Sequence, residues 1–203
     1  MEPVLLRDYE VPADLPAKIW AIGSSPGSGK RIVQSISLDP EVLEPRNVHL
    51  QEKHSLIRLR EARWQDYHLD DARLAVVAFG TPARVALSAI RSARSRGIPV
   101  GLFRPITLFP FPEREIADLA IRVDGLLVVE MNQGQMLEDV QLAAAGRADV
   151  RFFGRLGGLV PTPEDVLGAV ECLVRRQGGD PGVPPDRSPE RASAGVLVAR
   201  RVG

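Results

Sequence analysis

Residues 99–112 read PVGLFRPITLFPFP, and this stretch decides the fold class. Its first half is a short apolar run between chain breakers, as expected for a buried strand. Its second half holds three prolines, which exclude a regular helix or a central strand there. A strand that ends in a proline-rich loop and enters a helix at Pro112 is one step of a β-α-β chain. In such sheets ligands bind beyond the carboxyl ends of the strands, so Arg104 and Thr107 are candidates for contact with a ligand or a partner.

Upstream of this stretch, the run LAVVAF at residues 74–79 predicts a strand that is covered on both faces. Gly80 breaks the run, Thr81 and Pro82 predict the start of a helix, and Gly97 predicts its end. The polar face of this helix is interpreted as solvated and carries a row of arginines: Arg84, Arg91, Arg94 and Arg96.

Downstream, the same alternation continues. The apolar runs at residues 126–129 and 150–153 predict two further strands, and a helical pattern follows each of them. Thr162 predicts the cap and Pro163 the first turn of the last helix. Four strands that alternate with four helices predict an α/β fold, a layered sandwich around a parallel sheet.

The first part of the chain, residues 1–52, is polar and punctuated by prolines, and we interpret it as the tail of a larger domain. Residues 39–43 predict one short helix and residues 49–59 a second. The glycine-rich segment GSSPGSGK at 23–30 resembles a phosphate-binding loop. However, its glycine spacing is one residue too long, and Arg31 stands where that motif needs Ser or Thr, so a solvated loop is the preferred interpretation.

The remaining boundaries follow from composition. Residues 53–72 are charged and form a linker in which residues 62–65 permit a short edge strand. Residues 73–176 form the α/β domain. Residues 177–203 are rich in Pro, Gly, Arg and Asp, which predicts a disordered tail.

Composition excludes several classes of function. Lys and Arg together number 26, as do Asp and Glu, so no net charge recruits nucleic acid or an anionic membrane. The single cysteine, Cys172, excludes a disulfide framework, a set of iron–sulfur ligands and a thiolate zinc site. No apolar run approaches about 18 residues and no signal architecture opens the chain, so a cytoplasmic location is expected.

No catalytic constellation is visible in the sequence. The three histidines, His49, His54 and His68, precede the α/β core and share no motif with a nucleophile. Glu130, at the carboxyl end of a strand, is the best single candidate for a functional carboxylate, and bonding to nearby backbone amides is the alternative. The first strand–helix turn holds one glycine, so the dinucleotide fingerprint is missing.

Taken together, the loops resemble the alpha subunit of 2-oxoacid:ferredoxin oxidoreductases, in particular the 2-oxoglutarate and 2-ketoisovalerate types. Four segments in a specific order carry the resemblance: VVAFGTPARVALSAI (76–90), GIPVGLFRPITLFPFP (97–112), VVEMNQGQMLEDV (128–140) and FFGRLGGLVPTPEDVL (152–167). Residues 28–54 also look like the stretch that precedes this domain in that subunit, so the resemblance covers about residues 1–175.

The resemblance implies a three-layer α/β/α sandwich, similar to the C-terminal domain of transketolase, with one antiparallel strand added to a mostly parallel sheet. It also implies an enzyme complex that oxidatively decarboxylates a 2-oxoacid with thiamine diphosphate and magnesium, passes electrons through iron–sulfur clusters to ferredoxin and forms acyl-CoA. The thiamine-pyrimidine domain of the alpha subunit is expected to be missing, with residues 1–52 as its remnant. The diphosphate motif and the cluster cysteines do not occur in this sequence, so we expect this chain alone to bind no cofactor.

The first functional hypothesis is therefore a structural part of such an alpha subunit, inactive alone, which contacts a beta subunit and further alpha copies. The second is a free-standing module that binds a small anion or nucleotide at the strand ends, and a third is a remnant without function. No residue is assigned to catalysis, to a cofactor or to a metal. The candidates for an interface or a ligand are Arg104, Thr107, Phe109, Phe111, Glu130, Asn132, Gln135 and Arg155.

Overall fold

The computed structural model describes residues 36–177 and 196–198. The chain divides into two compact units, Val4–Leu56 and a larger one that contains Ile57–Gly203. The described elements are α1 (Pro40–Glu61), β1 (Trp64–Tyr67), β2 (Leu74–Ala78), α2 (Gly80–Ser95), β3 (Val100–Pro105), α3 (Glu113–Arg122), β4 (Gly125–Glu130), α4 (Gln135–Ala144), β5 (Asp149–Gly154), α5 (Pro163–Gln177) and β6 (Val196–Val198). From β2 to α5, strands and helices alternate as the sequence predicts.

Six strands form one sheet in the order β1-β3-β2-β4-β5-β6. The central strands β3, β2, β4 and β5 are parallel, and β1 and β6 pair antiparallel at the two edges. The predicted α/β class with a mostly parallel sheet is thus confirmed. The edge strand permitted at residues 62–65 lies at Trp64–Tyr67.

Helices cover both faces of the sheet and create two apolar cores. On one face, α2 and α5 pack against alternate residues of β2, such as Val76, and on the other face α3 and α4 pack around Val77. All five residues of β2 are buried, because a central parallel strand is covered from both sides. The result is the expected three-layer α/β/α sandwich.

The expectation of two short helices in residues 39–59 is wrong. One helix of 22 residues, α1, spans both segments and runs across residue 52, where composition had suggested a boundary. Asp39 caps it as expected, since its carboxylate accepts a hydrogen bond from the N–H of Glu41 at 3.0 Å. Pro45 lies early in the helix, where its missing N–H removes one backbone hydrogen bond, and the Leu, Gln, Lys and Arg residues that follow favour helix.

Parts of both ends of the chain lie outside the described residues. At the start these are residues 1–35, which include the glycine-rich segment 23–30. Of the tail that was expected to be disordered, Gln177 ends α5 and Val196–Val198 form β6, while the rest also lies outside the described part.

The helix starts follow the predicted caps in one case and not in the other. In α5, the Thr162 hydroxyl accepts from the Asp165 N–H at 3.1 Å and the Asp165 carboxylate accepts from the Thr162 N–H at 2.9 Å, a reciprocal capping box. In α2, the predicted cap at Thr81 is wrong, because the helix already begins at Gly80 with Phe79 as a cap that offers no side-chain hydrogen bond.

Candidate functional site

Three loops lie at the carboxyl edge of the sheet, where β3, β4 and β5 lead into α3, α4 and α5. The eight candidate residues all lie at this edge, but in two groups, because β2 separates β3 from β4. Neighbouring strands are about 4.8 Å apart, so the ends of β3 and β4 are about 10 Å apart. One group contains Glu130, Asn132, Gln135 and Arg155, and the other lies within residues 104–111.

Glu130 ends β4 and is fully buried. Its carboxylate accepts hydrogen bonds from the backbone N–H groups of Met136 at 3.0 Å and Leu137 at 3.1 Å, and from the side-chain amide of Asn132 at 2.9 Å. Both backbone donors lie in the first turn of α4, where N–H groups have no partner within the helix. The sequence left two roles open for Glu130, and these contacts support bonding to backbone amides.

Asn132, like Glu130, caps the N-terminus of α4. Its side-chain oxygen accepts from the N–H groups of Gly134 at 2.7 Å and Gln135 at 3.0 Å. Together, Asn132 and Glu130 take up all four N–H groups that open α4. A helix N-terminus after a parallel strand is the usual place for a phosphate or carboxylate ligand. Here the chain's own side chains occupy that position.

The β5–α5 loop is held next to this cap. Its first residue, Arg155, donates its backbone N–H to the carbonyl of Glu130 at 3.2 Å, and its guanidinium pairs with Asp165 at 2.9 Å. Partial burial opposes the charged form of Asp165, but hydrogen bonds from Thr162 and Arg155 outweigh it and hold the pKa of that carboxyl below its ordinary value. Arg155 therefore serves the capping network of α5.

Gly154 shows how closely the β4 and β5 loops approach each other. A Cβ atom at this position would lie 2.8 Å from the carbonyl oxygen of Asn132 and 2.5 Å from the ring of Phe152. Only glycine fits without a shift of the backbone. The two loops thus form one rigid cluster of bonded polar groups.

The β3–α3 loop is held by Arg63, the residue just before β1, which is the edge strand next to β3. The Thr107 hydroxyl accepts from the backbone N–H of Arg63 at 2.9 Å and donates to the carbonyl of Pro110 at 2.8 Å. The Phe109–Pro110 peptide bond is cis. Phe111 is half-buried and packs on the core under α3 and α4. Thr107 and Phe111 therefore support the loop from within, which leaves Phe109 as the exposed candidate in this loop.

Arg104 differs from Arg155 in its partners. Its guanidinium donates to the side-chain oxygen of Gln65 at 2.9 Å, which also accepts the hydroxyl of Tyr67 at 3.0 Å. Its Nε is buried and has no acceptor, and none of the ion pairs among the described residues includes Arg104. Among the described residues, the guanidinium of Arg104 therefore contacts the neutral Gln65 and no carboxylate.

Apolar side chains are exposed in two of the three loops. Of these side chains, only Phe109 was a candidate from sequence. Six residues are each 44% to 62% exposed: Ile106, Leu108, Phe109, Leu156, Leu159 and Val160. The signal was present as isolated apolar residues among turn formers, for example in GRLGGLVP at 154–161. Apolar side chains that cluster on one edge are typical of a surface that another molecule covers.

The basic face of α2 is not simply solvated. Arg94 donates to Asp71 at 2.5 Å and to the carbonyl of Val100 at 3.1 Å, and Arg96 pairs with Glu171 at 2.7 Å. These arginines tie α2 to its neighbours. Within the described ranges, no group of three or more His, Cys, Asp or Glu side chains is placed to hold a metal ion, and no helix has the length and apolar character of a membrane span.

Residues 72–166 match the pyruvate:ferredoxin oxidoreductase core domain II family. Residues 72–166 thus form a core domain II of the 2-oxoacid:ferredoxin oxidoreductases. The family expected from the four loop segments is confirmed. The match covers β2 to the start of α5 and thus contains all three loops of the carboxyl edge.

Two relatives of this chain represent the two enzyme types expected from sequence. The ketoisovalerate oxidoreductase subunit VorB of Methanothermobacter thermautotrophicus is 45% identical over 152 residues, which are 75% of this chain and 43% of the relative. The 2-oxoglutarate synthase subunit KorA of Methanothermobacter marburgensis is 41% identical over 101 residues, 50% of this chain and 27% of the relative. The chain therefore spans less than half the length of these relatives.

A solved structure shows the same fold. The 2-oxoglutarate:ferredoxin oxidoreductase from Magnetococcus marinus superposes with a TM-score of 0.60 at 19% identity, over 73% of this chain and 28% of that chain. At this identity the likeness concerns the fold alone. That structure holds 2-oxoglutarate, coenzyme A and succinyl-CoA.

Proposed function

We propose that this chain is the C-terminal part of an alpha subunit in a thiamine-diphosphate-dependent 2-oxoacid:ferredoxin oxidoreductase. That enzyme would oxidatively decarboxylate a 2-oxoacid to acyl-CoA and reduce ferredoxin in the cytoplasm. The chain itself would have a structural role, through the loops of the carboxyl edge, against a beta subunit and further alpha copies. Its residues 1–52 would belong to the thiamine-pyrimidine domain of that subunit.

The main support for this proposal is how the polar groups are bonded and which apolar side chains are exposed at the carboxyl edge. Its polar groups are bonded to one another, since Glu130 and Asn132 cap α4 and Arg155 pairs with Asp165. Its apolar side chains, in contrast, face solvent in the β3–α3 and β5–α5 loops. An edge with bonded polar groups and exposed apolar ones suits packing against protein better than chemistry on a small substrate.

The N-terminus of α4 and the cysteine content of the chain do not fit the cofactors of this enzyme class. A diphosphate would need free N–H donors at a helix N-terminus, and those of α4 are taken by Glu130 and Asn132. An iron–sulfur cluster needs several thiolates, whereas the chain has one cysteine, Cys172. Thiamine diphosphate, magnesium and the clusters would therefore lie on other domains or subunits.

The test is reconstitution with the separately purified thiamine-binding beta subunit. We expect the chain to co-elute with that subunit in gel filtration. We expect no 2-oxoacid-dependent reduction of ferredoxin by the chain alone in the presence of CoA, thiamine diphosphate and magnesium. Turnover by the chain alone, or separate elution of the two proteins, would overturn the proposal.

A second candidate function is a module that binds a small anion or nucleotide at the strand ends. The lack of a counter-charge for Arg104 among the described residues favours it, because guanidinium groups bind carboxylates and phosphates well. Calorimetry with CoA and with nucleotides, on the wild type and on Arg104→Ala, decides this candidate. Heat that disappears in the variant supports it, and no heat with either protein ends it.

A further inference from the structure

Arg104 is a half-buried cation without a counter-charge in the described chain. It contacts Gln65 by one hydrogen bond, and its buried Nε has no acceptor. Removing a charge from water without an opposite charge nearby costs free energy, and so does an unpaired buried N–H. A carboxylate supplied from outside the described residues would lower the first of these costs, while the Nε, which solvent does not reach, stays unpaired.

The loop that follows Arg104 presents apolar side chains to solvent in a fixed arrangement. Ile106 is 50% exposed and Leu108 is 45% exposed. The hydrogen bonds of Thr107 to Arg63 and Pro110 hold the loop backbone at residue 107, between these two side chains, and at residue 110 after them. A surface that is already ordered loses little entropy on binding, and arginine beside apolar groups is typical of the energetic centre of protein interfaces.

We propose that Arg104, Ile106 and Leu108 form a docking surface for a protein that presents an Asp or Glu carboxylate to Arg104 amid apolar side chains. We call these three residues the Arg104 surface. The inference rests on the proposed function, which supplies the partner: the thiamine-binding beta subunit. A small anion alone would balance Arg104 but would leave Ile106 and Leu108 in water, so a protein partner fits both observations.

The experiment measures the dissociation constant between the immobilised full chain and the purified beta subunit. Two variants change the Arg104 surface, Arg104→Glu and Leu108→Asp. Two matched controls place the same new charges elsewhere, Arg114→Glu on α3 and Leu142→Asp on α4, both at exposed positions. Thermal unfolding of each variant shows that the fold is retained, and Leu108→Asp decides the test if Arg104→Glu does not fold.

We expect the dissociation constant to rise about 30-fold or more in both surface variants. Arg104→Glu removes one member of a desolvated charge pair, and Leu108→Asp places an unpaired carboxylate in the interface. The controls should change it less than about threefold, as rim charges do. One Asp→Arg or Glu→Arg change in the beta subunit should restore binding of Arg104→Glu.

Three results would overturn the inference. If the wild-type chain does not bind the beta subunit, the proposed function fails and the inference fails with it. If the wild type binds and both surface variants bind equally well, only the inference fails. If Arg104→Glu weakens binding, Leu108→Asp does not, and citrate competes with the beta subunit, Arg104 holds a small anion instead.

Discussion

Replacement of Glu130 by glutamine is the sharpest test of how the carboxyl edge is built. Glutamine has the same shape but offers one acceptor oxygen in place of two. That oxygen can keep the hydrogen bonds from Met136 and Asn132, which share Oε2, while the new NH₂ group faces the N–H of Leu137. The variant therefore leaves two donors opposed in a fully buried place.

The expected loss in the free energy of unfolding follows from the hydrogen bond that the amide of Leu137 can no longer make. An unsatisfied buried polar group costs about 1–3 kcal/mol. Removal of a carboxylate from a helix N-terminus adds about 0.3–1 kcal/mol, and relief from burying a charge offsets part of the sum. We expect Glu130→Gln to lower the free energy of unfolding by about 2 kcal/mol. Glu130→Ala removes all three hydrogen bonds and should lower it by about 4 kcal/mol.

The assay is urea unfolding of the full chain followed by far-ultraviolet circular dichroism, with hydrogen exchange at the amides of Met136 and Leu137. Glu164→Gln is the matched control, because Glu164 is an exposed carboxylate in the first turn of α5. It should cost at most about 1 kcal/mol. If Glu130→Gln is as stable as the wild type and both amides keep their protection, the capping role of Glu130 is refuted.

Three further predictions concern the frame around this edge. Gly101→Ala should destabilise by about 3 kcal/mol, because its Cβ would lie 2.5 Å from the carbonyl oxygen of His68, and urea unfolding measures the decrease. Gly168→Ala should instead stabilise by about 0.5–1 kcal/mol, since this exposed helical glycine has no atom within 4 Å of an added Cβ; an equal decrease in both variants would contradict the steric argument. Asp165→Asn should cost about 1–2 kcal/mol at pH 7, because it weakens the hydrogen bond that the Asp165 side chain accepts from the Thr162 N–H and the pair with Arg155. The folded-state pKa of Asp165 is lowered, so its contribution is complete above the unfolded value of about 3.9 and is lost as the pH falls through the folded value. The stability difference between wild type and Asp165→Asn should therefore be constant from about pH 8 to 5 and shrink below about pH 4. A stability difference that stays the same at all pH values would contradict this role of Asp165.

Much of the site could be placed from sequence, but its bonding could not. The sequence placed Glu130 at a strand end and left open whether it acts on a ligand or on backbone amides. Only the folded position of α4 shows which hydrogen-bond donors lie next to the Glu130 carboxylate. Likewise, Arg104 and Arg155 both follow apolar strand residues, yet Arg155 lies beside the carboxylate of Asp165 and Arg104 beside the neutral Gln65. Strand ends are visible in a local pattern, whereas partners across the sheet are not.

The sequence by itself determined the alternation of strands and helices, the cap at Thr162 and Pro163, and the membership of the α/β class. These features arise from interactions within a few residues, in which an apolar run, a hydroxyl before a proline or a glycine at positive φ has one favourable local conformation. The tertiary structure alone decided the strand order, the antiparallel strand β6 and the lack of a counter-charge at Arg104 within the described part of the chain. Each of these depends on groups far apart in the chain, such as Gln65 and Arg104, which only the folded backbone brings side by side.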